Sequence, residues 1–427
     1  MKHSAWHSSI VLIAAALVAA CSTPTTSPVS ERGSASPLTM LVFGDTGYHY
    51  DYLAKKEYQR VVTQEQFLAK ERKDWIEDRR PIEELAYPPT YRLPANGSII
   101  AASGQAPVAT AMRDYCTAHG CDFGSLLGDN IYPDGATAGA DGTDDADRFR
   151  DLFAIPYGAL GEGRPDFRIY TVLGNHDWHS SREGAMAQVH YLQRSPPFYM
   201  NGLFYRVTPP AAHGDVEIFA IDTEVLLAGT TVYESALTDD AREATSTELE
   251  KLEPWAAPQT QAERDMVAWL DDALASSRAR WKIVIGHHPL WSSSGGKFEQ
   301  AKALRRLILP TLCRHADLYL AGHEHTLEVH TDDCSKVTTG SSLAPLPQIV
   351  SGAAAKMRPI NTTFMRNQQQ SNPQLHTLWA RGLVWGFSHL TFEDDQVTVR
   401  MVQVPADGSA AQVTYEHSFS RRTAMSE

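Results

Sequence analysis

Ser125-Leu126-Leu127-Gly128-Asp129-Asn130-Ile131-Tyr132 is the stretch on which the fold turns. The apolar run Phe123 to Leu127 stops at a glycine and then delivers Asp129 and Tyr132 beyond the strand end, which is where a parallel sheet keeps its chemistry. A carboxylate has two oxygens and can bridge two cations. A phenolate is a hard anionic ligand suited to a trivalent metal. The pair reads as a metal floor, but a Gly-Asp turn after a strand is common, so the reading needs partners elsewhere in the chain.

Those partners recur at other strand ends. Leu38 to Phe43 runs into Gly44-Asp45-Thr46-Gly47, and Arg168 to Leu173 into Gly174-Asn175-His176-Asp177. Trp281 to Ile285 runs into Gly286-His287-His288-Pro289, and Leu318 to Ala321 into Gly322-His323-Glu324-His325. Gln105 to Ala118, Gln261 to Ser277 and about Glu299 to Cys313 carry apolar residues at helical spacing between these strands, so the pattern is strand, helix, strand, that of an α/β fold. Carboxylate, amide oxygen and imidazole are what hard or borderline dications choose. A lone histidine at a strand end is ordinarily a structural residue. Repeated glycine-terminated clusters exposing Asp, Asn or His are hard to obtain by accident.

Two long intervals interrupt the alternation. About 50–94 is polar, with Leu53, Tyr58, Val61, Val62, Phe67, Leu68 and Trp75 spaced for one or two surface helices, either an appendage or a lid that limits substrate size. About 223–258 reads as loops and short helices, and Asp141 to Asp147 as an acidic loop. Gln348 to Val350, Ser388 to Phe392 and Val397 to Val402 read as antiparallel strands completing a second sheet. The domain is expected over 38–405, with 406–427 as a C-terminal tail.

At 427 residues, 43% hydrophobic and 21% charged, the chain has ample apolar content for a large core, which excludes the disordered and collagen-like classes. Residues 1–20 read as an export signal: Lys2 precedes an apolar run, Ile10 to Ala20, that is too short to span a bilayer. Cys21 after Val18-Ala19-Ala20 resembles a bacterial lipobox, which implies lipid attachment at Cys21 and a membrane-anchored, exported protein. Ser22 in place of an aspartate implies the outer membrane, periplasmic or cell-surface. Residues 21–37, rich in Ser, Thr and Pro, read as a flexible tether.

In an oxidising compartment Cys116, Cys121, Cys313 and Cys334 allow three disulfide connectivities, of which the near pairs are favoured. Neither pair has the spacing of a thiolate metal site. The formal net charge of −13 argues against nucleic acid as a partner, because a phosphate backbone calls for a basic face. It does not exclude a small phosphorylated substrate, since bound cations dominate a local field.

From about Leu41 to Leu390 the chain resembles the calcineurin-like metallophosphoesterases and, within them, the purple acid phosphatases. The resemblance rests on Asp45-x-Gly47, Gly128-Asp129-x-x-Tyr132, Gly174-Asn175-His176-Asp177, Val284-x-x-His287 and Gly322-His323-x-His325, in that order. It implies a four-layer α/β/β/α sandwich of two mixed sheets flanked by helices. It implies a dinuclear metal centre: Asp45, Asp129, Tyr132 and His325 on Fe(III), with Asp129 bridging to a divalent Fe, Zn or Mn that Asn175, His287 and His323 also hold.

The activity so implied is hydrolysis of phosphate monoesters, with metal-activated hydroxide as nucleophile between two ions roughly 3.5–4 Å apart. His176 would protonate the leaving group, and Asp177 would orient its ring. Relatives offer a substrate-contacting histidine in the loop after the Val-x-x-His motif. Ser292 to Phe298 contains none, leaving His288 or Lys297 as stand-ins. His49, His179 and His190 read as surface or supporting residues. Alternatives are a phosphodiesterase or nucleotidase on the same scaffold, or a non-catalytic surface binding lipoprotein.

Overall fold

The computed structural model describes residues 37–139, 145–229, 252–295, 298–337 and 344–422. The expected leader, Cys21, residues 22–36 of the tether, residues 230–251 of the second insertion and Lys297 lie outside the described residues. In chain order the strands are β1 (Leu38–Phe43), β2 (Thr90–Arg92), β3 (Ile99–Ala101), β4 (Phe123–Leu127), β5 (Ile169–Val172), β6 (Phe198–Tyr199), β7 (Tyr205–Val207) and β8 (Val216–Ala220). They continue with β9 (Trp281–Ile285), β10 (Leu318–Ala321), β11 (Leu327–Asp332), β12 (Leu346–Ser351), β13 (Leu375–Arg381), β14 (Trp385–Glu393), β15 (Gln396–Val404) and β16 (Gln412–Ser420).

Two mixed sheets of seven strands carry the core, in the orders β16-β15-β14-β1-β4-β5-β6 and β13-β11-β12-β10-β9-β8-β7. The parallel centres, β1-β4-β5 in one sheet and β8-β9-β10-β12 in the other, supply the strand ends singled out above. Every residue of β4, β5 and β10 is buried, because a strand covered on both faces has no solvent side. That is why these strands read as continuous apolar runs without alternation. Ser351 Oγ donates to the Val42 carbonyl at 2.8 Å and the Tyr205 hydroxyl to that of Thr171 at 2.9 Å, so the sheets meet face to face.

Helices cover the outer faces. Gln105–His119 buries Val108, Met112 and Cys116, four residues apart each time, and sets the Tyr115 ring edge-on to Phe387 of β14 at 5.6 Å. The helix expected over Gln261 to Ser277 is two pieces, Gln261–Arg264 and Met266–Ser276. In the first insertion Thr63 and Gln66 form a capping box on Gln64–Glu77, whose buried residues are Phe67 and Trp75. Among the described residues no helix is long and apolar enough to cross a membrane.

Two expectations need correction. The three strands read together as one second sheet are divided: β12 runs parallel to β10, whereas β14 joins the first sheet antiparallel to β1 and β15 pairs antiparallel with β14. Local alternation shows a strand's faces but not which edge it joins. The segment set apart as a tail also contributes β16, paired along its length with β15. Val413, Tyr415 and Phe419 alternate with polar residues there, as an edge strand with one wet face requires. The disulfides are Cys116–Cys121 and Cys313–Cys334.

Candidate metal centre

The carboxyl ends of the parallel strands meet across the two sheets. Asp45 N donates to the Gly128 carbonyl at 2.9 Å, which ties the loops after β1 and β4. Gly322 N donates to the His287 carbonyl at 3.0 Å, tying those after β10 and β9. His323 N then donates to Asp45 Oδ2 at 2.8 Å, from one sheet to the other.

Glycines in these motifs are steric requirements. A Cβ on Gly174 would lie 2.3 Å from Asp129 Oδ1, and one on Gly322 would lie 2.6 Å from Asp45 Oδ2. Asp45, Asp129 and His323 themselves sit at φ 58°, 52° and 69°. Left-handed backbone costs an ordinary residue about 1–3 kcal/mol, and such strain collects where side chains must be aimed.

What is aimed is a set of six buried donor groups around one carboxylate, that of Asp129. On one side the Tyr132 hydroxyl lies 2.7 Å from Asp129 Oδ2, 3.1 Å from Asp45 Oδ1 and 3.0 Å from His325 Nε2. On the other, Asn175 Oδ1, His287 Nε2 and His323 Nδ1 stand 3.0–3.1 Å from one another, with His287 Nε2 3.3 Å from Asp129 Oδ1. Asp129, His287 and His323 form one group with metal-ligand proximity, and Asp45, Asp129 and His325 a second. Asp129 belongs to both.

The donor set fits cations better than it fits itself. One hydroxyl proton at Tyr132 faces two carboxylate oxygens and the His325 ring. His287 donates Nδ1–H to the Leu127 carbonyl at 2.7 Å, so in the neutral ring Nε2 is an acceptor set against another acceptor, Asn175 Oδ1. Burial first, and the charge of Asp129 second, push Asp45 well above the ordinary carboxylate range. Burial, Asp129 and Asp45 push the Tyr132 phenol well above its usual value. Burial would raise Asp129 too, but the His287 and His176 rings and the Tyr132 hydroxyl hold it low. A cation shared at Asp129 supplies the positive charge this cluster lacks. Among the described residues the remaining group with metal-ligand proximity, Cys313, Asp332 and Cys334, has its sulfurs in a disulfide.

Asp177 does not do what its place in the motif implies. Its carboxylate accepts from the main-chain N–H of Gly174, Asn130 and Ile131 at 2.8–3.0 Å. It holds the loop that carries Asp129 and Tyr132. The His176 ring is oriented instead by the Pro133 carbonyl, 2.6 Å from Nδ1, and His179 Nδ1 shares that oxygen at 3.2 Å. Burial, with the charge of Lys356 also against protonation, pushes His176 down to about 3.

His288 is no stand-in for a substrate-contacting residue. It is fully buried, with Nδ1 2.8 Å from Thr223 Oγ1. His49 caps its own turn by accepting from Asp51 N, and His190 is exposed on its helix. Sequence reasoning missed the loop after β12, where Arg358 pairs with buried Glu324 at 2.6 Å and Lys356 lies over the Tyr132 ring. Glu324, between the two histidines of its motif, was the only local signal.

The family model of the calcineurin-like phosphoesterases matches residues 38–327. Tartrate-resistant acid phosphatase type 5 of Mus musculus is 24% identical over 306 residues, 71% of this chain and 80% of that one. Purple acid phosphatase 3 of Arabidopsis thaliana is 28% identical over 228 residues, 52% of this chain and about half, 54%, of the relative. Among solved structures, GAP50, the anchor in the inner membrane complex of Plasmodium, superposes with TM-score 0.53 at 15% identity, covering 91% of this chain and 90% of that one. The purple acid phosphatase PPD1 of Lupinus luteus gives TM-score 0.50 at 16% identity over 91% of this chain and 55% of that one. The chain belongs to the calcineurin-like phosphoesterase family. Within that family it is of the purple acid phosphatase type, the branch whose sequences it resembles and to which Tyr132 points.

Proposed function

We propose that this is an exported, lipid-anchored acid phosphatase that hydrolyses small phosphate monoesters at a dinuclear metal centre. The observation that carries the reading is the convergence of seven donor side chains on two points that share Asp129. Asp45, Asp129, Tyr132 and His325 would hold Fe(III), for which a phenolate is the apt ligand. Asp129, Asn175, His287 and His323 would hold a divalent Fe, Zn or Mn, for which imidazole and amide oxygen are suited. When bound, the pair supplies Lewis acidity toward the phosphoryl oxygens and lowers the pKa of water in the site.

The chain's own residues do the rest. Main-chain N–H groups of His176 and His323 hold the carboxylates of Asp129 and Asp45 in place at 2.9 and 2.8 Å. With its Nδ1 proton donated to the Pro133 carbonyl, His176 presents Nε2 to the leaving-group oxygen. A phosphate dianion beside the ring raises its pKa again and so recharges it for proton donation.

Export and anchoring at Cys21 are supported by the apolar run ending at Ala20 and by the two disulfides, which persist in oxidising compartments. The test of function is metal analysis of the purified protein together with aryl phosphate mono- and diesters assayed across pH. The expected result is two metals per chain and monoester turnover in acid. Faster diester turnover would make it a phosphodiesterase, and phosphate binding without turnover would make it a binding protein. Mass measurement of wild type against Cys21→Ser tests the anchor.

A further inference from the structure

We propose that residues 63–88, the helical excursion of the first insertion, form a fixed wall on the Asp45 and His325 side of the centre. The wall limits the substrate to esters of small alcohols and phenols and excludes phosphate carried on a folded protein. The inference rests on the phosphomonoesterase reading above and adds what selects among monoesters.

Two loops lead outward from Asp45, and the insertion joins them. Gly47 N donates to the Asp129 carbonyl at 3.2 Å and the Gly47 carbonyl accepts from Tyr132 N at 3.3 Å, so the loop after β1 leaves the centre at Tyr48. There Ser103 Oγ donates to the Tyr48 carbonyl at 2.6 Å, the Tyr48 hydroxyl donates to the Ala101 carbonyl at 3.1 Å, and Tyr50 stacks on Tyr91 of β2 at 3.8 Å. The loop after β12 starts against the centre, where a Cβ on Gly352 would lie 2.6 Å from Asp45 Oδ2. It runs out past Arg358, whose N–H donates to the His325 carbonyl at 2.9 Å. At its far end buried Asn361 donates Nδ2–H to the Asp78 carbonyl at 2.9 Å, and Thr362 Oγ1 donates to Glu84 Oε1 at 2.9 Å. The insertion therefore spans from one loop to the other.

Its tip is built to stay in place. Trp75 is buried on the capped helix Gln64–Glu77, and its Nε1 donates to the Pro81 carbonyl at 2.9 Å, which folds the turn after the helix back onto it. Burial holds the Arg80 guanidinium below its usual value, against the pull of Asp78, and the charges of Arg358 and Glu324 act on it as well. The turn thus reaches the ion pair beside His325. Movement as a lid would break the bond to Asn361 and take Arg80 from that pair. A small ester passes between the two loops, whereas a phosphate on a folded protein brings the protein's own surface against the wall, and such a clash discriminates without any new attraction.

The excursion can be removed at its base. The Val62 and Pro89 carbonyls accept from Ile99 N and Ala102 N at 2.8 Å, three residues apart along one extended segment and so about 10 Å. A Gly-Ser linker of about four residues, reaching roughly 13 Å, can replace 63–88. The test compares wild type, this deletion and the double variant Glu84→Ala/Thr362→Val on free phosphoserine, a short phosphoserine peptide and a folded phosphoprotein, which share one leaving alkoxide. Wild type should favour phosphoserine over the folded phosphoprotein by about 100-fold in kcat/KM, and the deletion should narrow that ratio about tenfold and the double variant about threefold. Phosphoserine turnover and metal content should stay near wild type. Equal wild-type rates on phosphoserine and the phosphoprotein would overturn the assignment, as would an unchanged ratio in the variants. Loss of metal from the deletion would do so too, by making the excursion part of the metal-holding architecture. Should the deletion not fold, the double variant and the wild-type ratio decide. A wild type that turns over no monoester defeats the phosphomonoesterase reading alone, and calorimetry of phosphoserine against the phosphoprotein then decides the wall.

Discussion

His287, just past the end of β9, donates its Nδ1 proton at 2.7 Å to the carbonyl of Leu127, the last residue of β4 in the opposite sheet. The bond fixes the tautomer and points Nε2 at Asn175 Oδ1, 3.1 Å away. Metal-binding imidazoles are habitually held this way by their other nitrogen. The two sides of the centre draw on different side chains, His287, His323 and Asn175 on one and Tyr132, Asp45 and His325 on the other, and both share Asp129.

Asn175→Ala or His323→Ala should accordingly empty one side first. Metal analysis is expected to fall from two ions per chain toward one, with the iron retained and the divalent ion lost. The imidazole or amide removed is not among the groups that meet at the Tyr132 hydroxyl, where Asp45 Oδ1 lies at 3.1 Å and His325 Nε2 at 3.0 Å. Parallel loss of both metals in either variant would contradict this partition.

Tyr132→Phe removes only an oxygen from a ring packed against His176, so the fold should persist. The purified wild type is expected to absorb visible light through a tyrosinate-to-iron transition, and the variant should be colourless at comparable iron content. A band of unchanged position and strength in Tyr132→Phe would remove the tyrosine from the ligand set.

How much of this was legible in sequence depended on whether a residue's partners were local. The strand ends were, because a strand buried on both faces announces itself as an apolar run and a glycine marks where the chain must pass close to a carboxylate. Gly174 and Gly322 are such glycines. Asp177 was not legible: its neighbour in sequence is His176, but its partners Asn130 and Ile131 come from a loop nearly fifty residues earlier. Lys356 was invisible for the same reason, since nothing near it in the chain mentions Tyr132. The sheet membership of β12, β14 and β15 was also beyond reach, because alternation fixes faces and leaves edges open.

Two adjacent residues should therefore fail in different ways. Asp177→Ala leaves three buried main-chain N–H groups without their acceptor, and is expected to cost about 2–4 kcal/mol of stability, visible as a lowered Tm. His176→Ala, part-exposed, should unfold near the wild-type temperature. Its turnover should drop more for esters with poor leaving groups than for those with good ones. Uniform slowing across leaving groups would give His176 a binding role in place of proton transfer.

Asp317 offers a test of stability against pH away from the centre. Burial raises its pKa to about 6, despite hydrogen bonds from Lys282 N and Arg422 N that favour the charged form. An acid whose folded pKa exceeds its unfolded value near 3.9 binds its proton more tightly in the native state. Stability from this group is thus fully present below about pH 4, declines as pH rises to about 6, and is level above that. Asp317→Asn cannot ionise, so relative to wild type it should gain about 2–3 kcal/mol between pH 4 and pH 7 in denaturant unfolding. A constant difference between variant and wild type over that window would mean that Asp317 titrates normally. The sign suits an enzyme proposed to work in acid, because the buried carboxyl favours the folded chain where most paired carboxylates begin to weaken it.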